Sequence, residues 1–214
     1  YPPYIIAEMS ANHNGLIQNA YKIIDQAKLS GVDAIKMQTY KPETITLKSS
    51  NDEFLIKEGL WKGYTLYDLY QEAHTPWEWH KELFDYAAKK GITLFSSPFD
   101  NTAVDLLEDL NCPAYKIASF EIIDLPLIRY AASTGKPIII STGMASKVEI
   151  SEAIQTAIEA GCKQLAILLC VSGYPASSKD YNLRTISDMI KEFQVVVGLS
   201  DHTLSNITAL SSIS

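Results

Sequence analysis

Residues 4–40 read YIIAEMSANHNGLIQNAYKIIDQAKLSGVDAIKMQTY. Two short apolar runs, Tyr4–Met9 and Ala34–Gln38, bracket a segment that places Leu16, Ala20, Ile23, Ile24 and Ala27 on one helical face. Ser30-Gly31 stops that helix. The flanking runs are continuous rather than alternating, as strands covered on both faces are. Strand, helix and strand in this order predict a βα unit of a parallel sheet.

The same pattern repeats along the chain. Further strands are expected at Ile92–Phe95, Ala114–Ile117, Pro137–Ile140, Leu165–Leu169 and Val195–Leu199. Helices are expected between them. One opens on a capping box, Thr75 to Glu78 with Pro76 at its first position, and closes at Gly91. Others follow Asp100 and Asp124. A second capping box runs from Ser146 to Glu149, a sixth helix carries Leu183, Ile186, Met189 and Ile190, and a seventh begins at Thr203. Seven units at about 25–30 residues each predict an α/β fold, a (β/α)8 TIM barrel with its eighth unit missing; such barrels take about 250 residues. A doubly wound sheet is the alternative, weakened by the lack of a glycine-rich phosphate fingerprint after the first strand. The domain expected is one barrel over residues 1–214, clipped at its C-terminal end, because the sequence stops at Ile213-Ser214 within a helical pattern.

Composition narrows the function classes. The 214 residues are 47% hydrophobic and 20% charged, an ordinary globular balance. A net charge of −7 argues against broad nucleic-acid or acidic-membrane binding, so an anion site must be a local cluster. No apolar run approaches the roughly 20 residues of a membrane span. The three cysteines lack CxxC spacing, and the short apolar start lacks a basic flank, which together predict reduced thiols and a cytoplasmic location.

Polar residues gather where the strands end. They are Glu8 and Ser10; Lys36 and Gln38; Ser96 and Ser97; Lys116, Ser119 and Glu121; Ser141, Thr142 and Gly143; Ser172, Gly173 and Tyr174; Ser200, Asp201 and His202. Polar groups in covered strands are costly unless they bind something or each other. Two lysines and several hydroxyls at one end suit a small, oxygen-rich anion, a phosphate or carboxylate. Lys36 and Gln38, two apart, share a strand face. Glu8 suits either a salt bridge to a strand lysine or acid–base work. His202 suits either a structural hydrogen bond or a metal ligand. His74, His80, Trp77, Trp79 and Phe84 read as structural. A connection of about 36 residues, Thr39 to His74, holds a short helix at Leu66–Glu72 and is long enough for a lid or binding loop.

Six segments in order resemble the sialic acid synthase family: AEMSANHNG at 7–15, DAIKMQTY at 33–40, FSSPFD at 95–100, PAYKIASFEI at 113–122, KPIIISTGM at 136–144 and GLSDHT at 198–203. SANHNG, TPWEWHKELF and KIASFEI most resemble its pseudaminic acid synthase branch, with the N-acetylneuraminate and legionaminate branches as near alternatives. The resemblance implies a transferase that condenses phosphoenolpyruvate with an amino-sugar aldehyde, here a 2,4-diacetamido-2,4,6-trideoxy-altrose, with C–O cleavage and phosphate release. It implies that Lys36, Ser97, Lys116, Ser119, Ser172 and Ser200 hold phosphoenolpyruvate, with Ser141 beside them. Gln38 and Tyr174 match sugar-side positions, and Glu8 matches an acidic residue near the reacting carbons. His202 matches one of two histidines that hold a divalent metal, Mn2+ or Mg2+. The full-length protein is implied to be a homodimer. This sequence lacks a match to the second histidine and to the family's antifreeze-like C-terminal domain. Ser205 stands where a glycine is common, and Trp61 where sialate-type members carry asparagine. A Schiff-base aldolase using Lys36 or Lys116, and a binding fragment without turnover, are the competing expectations.

Overall fold

The computed structural model describes residues 2–59 and 61–213. Tyr1 and Ser214, on which the expected abrupt start and end rest, lie outside the described residues. The chain divides into two compact units, Tyr1–Pro113 and Ala114–Ser214.

The first unit runs β1 (Ile6–Glu8), α1 (Ile17–Leu29), β2 (Ala34–Thr39), α2 (Pro42–Ile45), a 3-10 turn at Asp52–Phe54, α3 (Leu66–Ala73), α4 (Trp77–Lys90), β3 (Thr93–Pro98) and α5 (Asn101–Asp109). Its strands pair in parallel, β1 with β2 and β2 with β3. The odd positions of β2 explain its apolar weight. Ile35 and Met37 are fully buried in one cluster with Ala20 and Ile24 of α1 and Leu83 and Ala87 of α4. Each of the larger of these side chains, Ile24, Ile35, Met37 and Leu83, contributes about 1.5–3 kcal/mol by leaving water. Alternation then turns Lys36 and Gln38 to the opposite face.

The second unit runs β4 (Tyr115–Ile117), a 3-10 turn at Ser119–Ile123, α6 (Leu125–Ser133), β5 (Ile138–Ser141), α7 (Lys147–Glu159), β6 (Leu165–Cys170), α8 (Arg184–Phe193), β7 (Val196–Ser200) and α9 (Asn206–Ser212). Its four strands also pair in parallel and in sequence order. Ile138 and Ile140 of β5 and Ile167 of β6 are buried, as are Ile128 and Ala132 of α6 and Ala153 and Ala157 of α7. None of the described helices is long and apolar enough to cross a membrane.

Several caps follow the sequence. Asp100 accepts from Thr102 and Ala103 amides, Asp124 accepts from Leu127, and Ser146 forms its capping box with Glu149. Gly91 closes α4 at φ +67°, a conformation that costs glycine little. Three details differ. Thr75 makes no cap, and α4 starts one residue late, after Pro76, because the Thr75 hydroxyl is buried against the His13 ring. The last helix starts at Asn206 with Ser205 as its cap, since Thr203 bonds to the Ser205 carbonyl. The third strand runs on to Pro98, so Ser96 and Ser97 lie within it rather than past it.

Candidate functional site

In the first unit, β1, β2 and β3 deliver Glu8, Lys36, Gln38 and Ser97. Register puts Glu8 beside Lys36 and Gln38 beside Ser97. Lys36 is almost wholly buried, and its Nζ lies 2.7 Å from Glu8 Oε2. The other Glu8 oxygen accepts from the Ser10 amide at 3.1 Å. Of the two readings of Glu8, the salt bridge is the one the geometry displays.

Adjacent serines on β3 separate cleanly. Ser96 faces the helices with Thr39. Its Oγ is 2.6 Å from Thr39 Oγ1, which is 2.9 Å from His80 Nε2, while His80 Nδ1 meets the Pro76 carbonyl at 3.1 Å. Burial pushes the His80 imidazole down to about 4, against a smaller upward pull from the Pro76 and Trp77 backbone. Ser97 faces the other way, with Lys36 and Gln38, and its buried Oγ has no hydrogen-bond partner among the described residues. One serine underpins the strands; its neighbour's oxygen is left with its bonding capacity unused among the described residues.

The second unit gathers Lys116, Ser119, Ser141, Ser172, Tyr174, Ser200 and His202 at the ends of β4 to β7. Lys116 and Ser119 are buried. The Gly143 amide donates to Ser119 Oγ at 3.2 Å. A Cβ on Gly143 would lie 2.3 Å from Ser172 Oγ and 2.9 Å from Ser119 Oγ, so only glycine lets the two hydroxyls close on that backbone. Ser141 and Ser172 carry buried Oγ atoms with no partner among the described residues. Buried polar atoms are rarely left so, and these two stand at the end of β5 and just past the end of β6, where a polar ligand could satisfy them.

His202 is held from several sides. Its Nδ1 lies 3.0 Å from the Val171 carbonyl, so Nδ1 carries a proton there and Nε2 is left as an acceptor. Tyr174 lies against the ring at 4.5 Å between centroids. Cys170 Sγ is 3.8 Å from Nδ1 and holds the imidazole pKa above its ordinary value, opposed by burial. Burial pushes the Cys170 thiol up, but hydrogen bonds with His202 and with Ser119 and Ser200 outweigh it and bring the thiol to about 7. An Nδ1–H on a carbonyl with Nε2 left over is the arrangement of a metal-binding histidine. Among the described residues, however, no three His, Cys, Asp or Glu side chains converge to hold an ion.

Glu121 is the functional candidate that pattern alone left among the strand-end residues without a role. Burial pushes its carboxyl up to about 7, while its own amide and Lys116 pull it down. Its Oε2 is buried with no partner among the described residues. The signal for it was available in its place two residues after Ser119, in a segment with two other site residues.

A cavity of about 520 Å³ lies elsewhere, between the start of α7 and α8, lined by Ile150, Leu169, Met189 and Phe193. Of the strand-end residues it includes only Thr142, and Lys147, Asp188, Lys191 and Glu192 also line it. Within each unit the strand-end region holds a buried lysine and buried hydroxyls without a partner among the described residues; Thr208 Oγ1, on α9, is a further such hydroxyl.

Comparison with known proteins follows the same line. The model of the NeuB family matches residues 23–214. The pseudaminic acid synthase of Helicobacter pylori is 48% identical over 206 residues, 96% of this chain and 61% of that protein. That of Campylobacter jejuni serotype O:2 is 43% identical over 210 residues, 98% of this chain and 61% of that protein. The crystal structure of an N-acetylneuraminic acid synthetase from Leptospira borgpetersenii, in complex with citrate, superposes with a TM-score of 0.88 at 30% identity, covering 100% of this chain and 70% of that one. The chain therefore spans about three-fifths of the length of these two curated relatives.

Proposed function

Because this chain belongs to the NeuB family, we propose that it carries the catalytic part of a pseudaminic acid synthase, which joins phosphoenolpyruvate to a 2,4-diacetamido-2,4,6-trideoxy-altrose. Identities of 48% and 43% to pseudaminic acid synthases support that branch. The same membership supports reading the βα units as parts of a (β/α)8 barrel.

One observation carries the proposal. Among the described residues, each unit carries buried oxygens without a hydrogen-bond partner on its strands or just after them, together with a buried lysine: Ser97 with Lys36 in the first unit, and Ser141, Ser172 and Glu121 Oε2 with Lys116 in the second. A phosphoenolpyruvate molecule brings a phosphate and a carboxylate, the acceptors that lysines and hydroxyls satisfy.

The reaction forms a bond from C3 of the enol to the aldehyde carbon. Water adds to C2, and the C2–O bond to phosphate breaks. Lys36 and Lys116 offset the negative charge of the phosphate and carboxylate throughout. Removing one such donor from a preorganised site costs about 3 kcal/mol. Glu121, with a carboxyl near 7, suits proton transfer at an oxygen of the intermediate. Glu8 keeps Lys36 in place through their ion pair. Gln38 and Tyr174 are assigned to the sugar side.

The chain supplies His202 Nε2 as one donor to a divalent ion, Mn2+ or Mg2+. Such an ion would polarise the aldehyde oxygen when bound. No step above depends on it.

The test is phosphate release from phosphoenolpyruvate with three sugars in turn: the altrose, N-acetylmannosamine and the legionaminate precursor. Release with the altrose and not with the others is the expected result. Release only with N-acetylmannosamine moves the chain to the sialate branch. Borohydride trapping of pyruvate on a lysine, with no phosphate released, supports a Schiff-base aldolase instead.

A further inference from the structure

Tyr181 lies in the segment between β6 and α8, outside the strands, and its ring is buried. Its hydroxyl donates to the Ser200 carbonyl at 2.8 Å and accepts from the His202 amide at 3.1 Å. One phenol oxygen therefore ties together the backbone on both sides of Asp201, where β7 ends and two candidate site residues begin. The same segment makes every other contact described for His202 except the thiol of Cys170. Val171 takes its Nδ1, Tyr174 covers its ring, and the Ala176 amide donates to its carbonyl at 3.0 Å.

The bond pattern sets what the hydroxyl must do. It has one proton, spent on the Ser200 carbonyl, and a lone pair, spent on the His202 amide. Burial holds the phenol pKa above its ordinary value, so the donor stays protonated at neutral pH. No lysine or carboxylate can serve this role, since each either donates only or accepts only.

We propose that Tyr181 is a positioning residue, whose hydroxyl sets the orientation of Ser200 and His202 in the active site without touching substrate. The proposal rests on the synthase reading for its kinetic consequence and on geometry alone for its structural one. Loss of the hydroxyl frees the 200–202 turn, and a displacement of about 1 Å at a reacting group is enough to cost on the order of 100-fold in rate.

The test is Tyr181→Phe, which keeps the ring and removes one oxygen. The protein has four histidines, so their ring nitrogens are resolvable after 15N-histidine labelling, with His202→Asn assigning the His202 signals. The expected result is a shift or broadening of the His202 ring resonances while those of His13, His74 and His80 stay in place. In phosphate release, kcat falls at least tenfold and KM for phosphoenolpyruvate rises with it, as misplacing Ser200 requires, and Tyr181→Leu does no better. His202 resonances that coincide with wild type overturn the proposal, as does a kcat within twofold of wild type. If wild-type protein releases no phosphate with any sugar, the synthase reading fails, and the resonances alone decide the positioning role.

Discussion

Acid should loosen the first unit through one histidine. His80 is fully buried on α4, bonded to the Pro76 carbonyl and to the Thr39 hydroxyl, which leads on to Ser96. Its two partners can serve either protonation state, because the hydroxyl chain from Ser96 through Thr39 can reverse. The cost of the proton is thus mainly that of a buried charge. Burial takes the imidazole from 6.5 to about 4. At about 1.4 kcal/mol per tenfold change in proton affinity, that gap is worth about 3 kcal/mol. The sign follows from which state binds the proton more readily. The unfolded chain takes it near pH 6.5 and the folded one only near 4. Stability from this group is fully present above 6.5 and is lost as pH falls to 4. The assay is urea unfolding of wild type and His80→Gln at pH 7 and pH 4. His13, whose imidazole is also held low by burial, is present in both and cancels. Wild type should lose about 3 kcal/mol more than the variant across that interval. Parallel losses would refute the claim that His80 is buried neutral beneath β2 and β3.

Three further outcomes are expected. Gly143→Ala should cost about 1–3 kcal/mol in stability, because the two serine hydroxyls can rotate aside, yet weaken phosphoenolpyruvate binding at least tenfold by calorimetry; an unchanged Kd removes the cradle from the site. Lys36→Met should leave stability within about 1 kcal/mol, since it also removes a costly buried charge, while raising the Kd for phosphoenolpyruvate at least tenfold; a large stability loss with normal binding makes the Glu8–Lys36 pair structural. Glu121→Gln should grow more stable than wild type as pH rises from 4.5 to 7, by up to about 3 kcal/mol, because the wild-type carboxyl must give up its proton in a buried place. Equal pH dependence of the two unfolding curves places Glu121 in contact with water.

Period and punctuation made most of the backbone legible. The continuous apolar run of β2 and the stop at Ser30-Gly31 are properties of neighbours along the chain, and so is the capping box at Ser146. Lys36 and Gln38 could be assigned to one face because residues two apart in a strand always share one. The candidate set was legible in the same way, as polar residues interrupting apolar strands. Thr75 shows where this stops. Its spacing to Glu78 is that of a cap, but its hydroxyl belongs to His13, 62 residues earlier.

What the sequence determined by itself was the order of elements, the parity of each strand and the chemical class of the strand ends. Those depend on local geometry, which repeats every two or 3.6 residues. Only the tertiary structure decided that Ser96 supports while Ser97 has no partner among the described residues, because a slip of one residue in the register of β3 against β2 would exchange their faces. Only it decided that Glu8 pairs with Lys36 and that Gly143 must lack a side chain. Tyr181 belongs to the same class, since its hydroxyl bonds to Ser200 and His202, 19 and 21 residues away. Each of these is a contact between groups distant along the chain, and the pattern of a single sequence carries no record of which hydroxyl meets which amide.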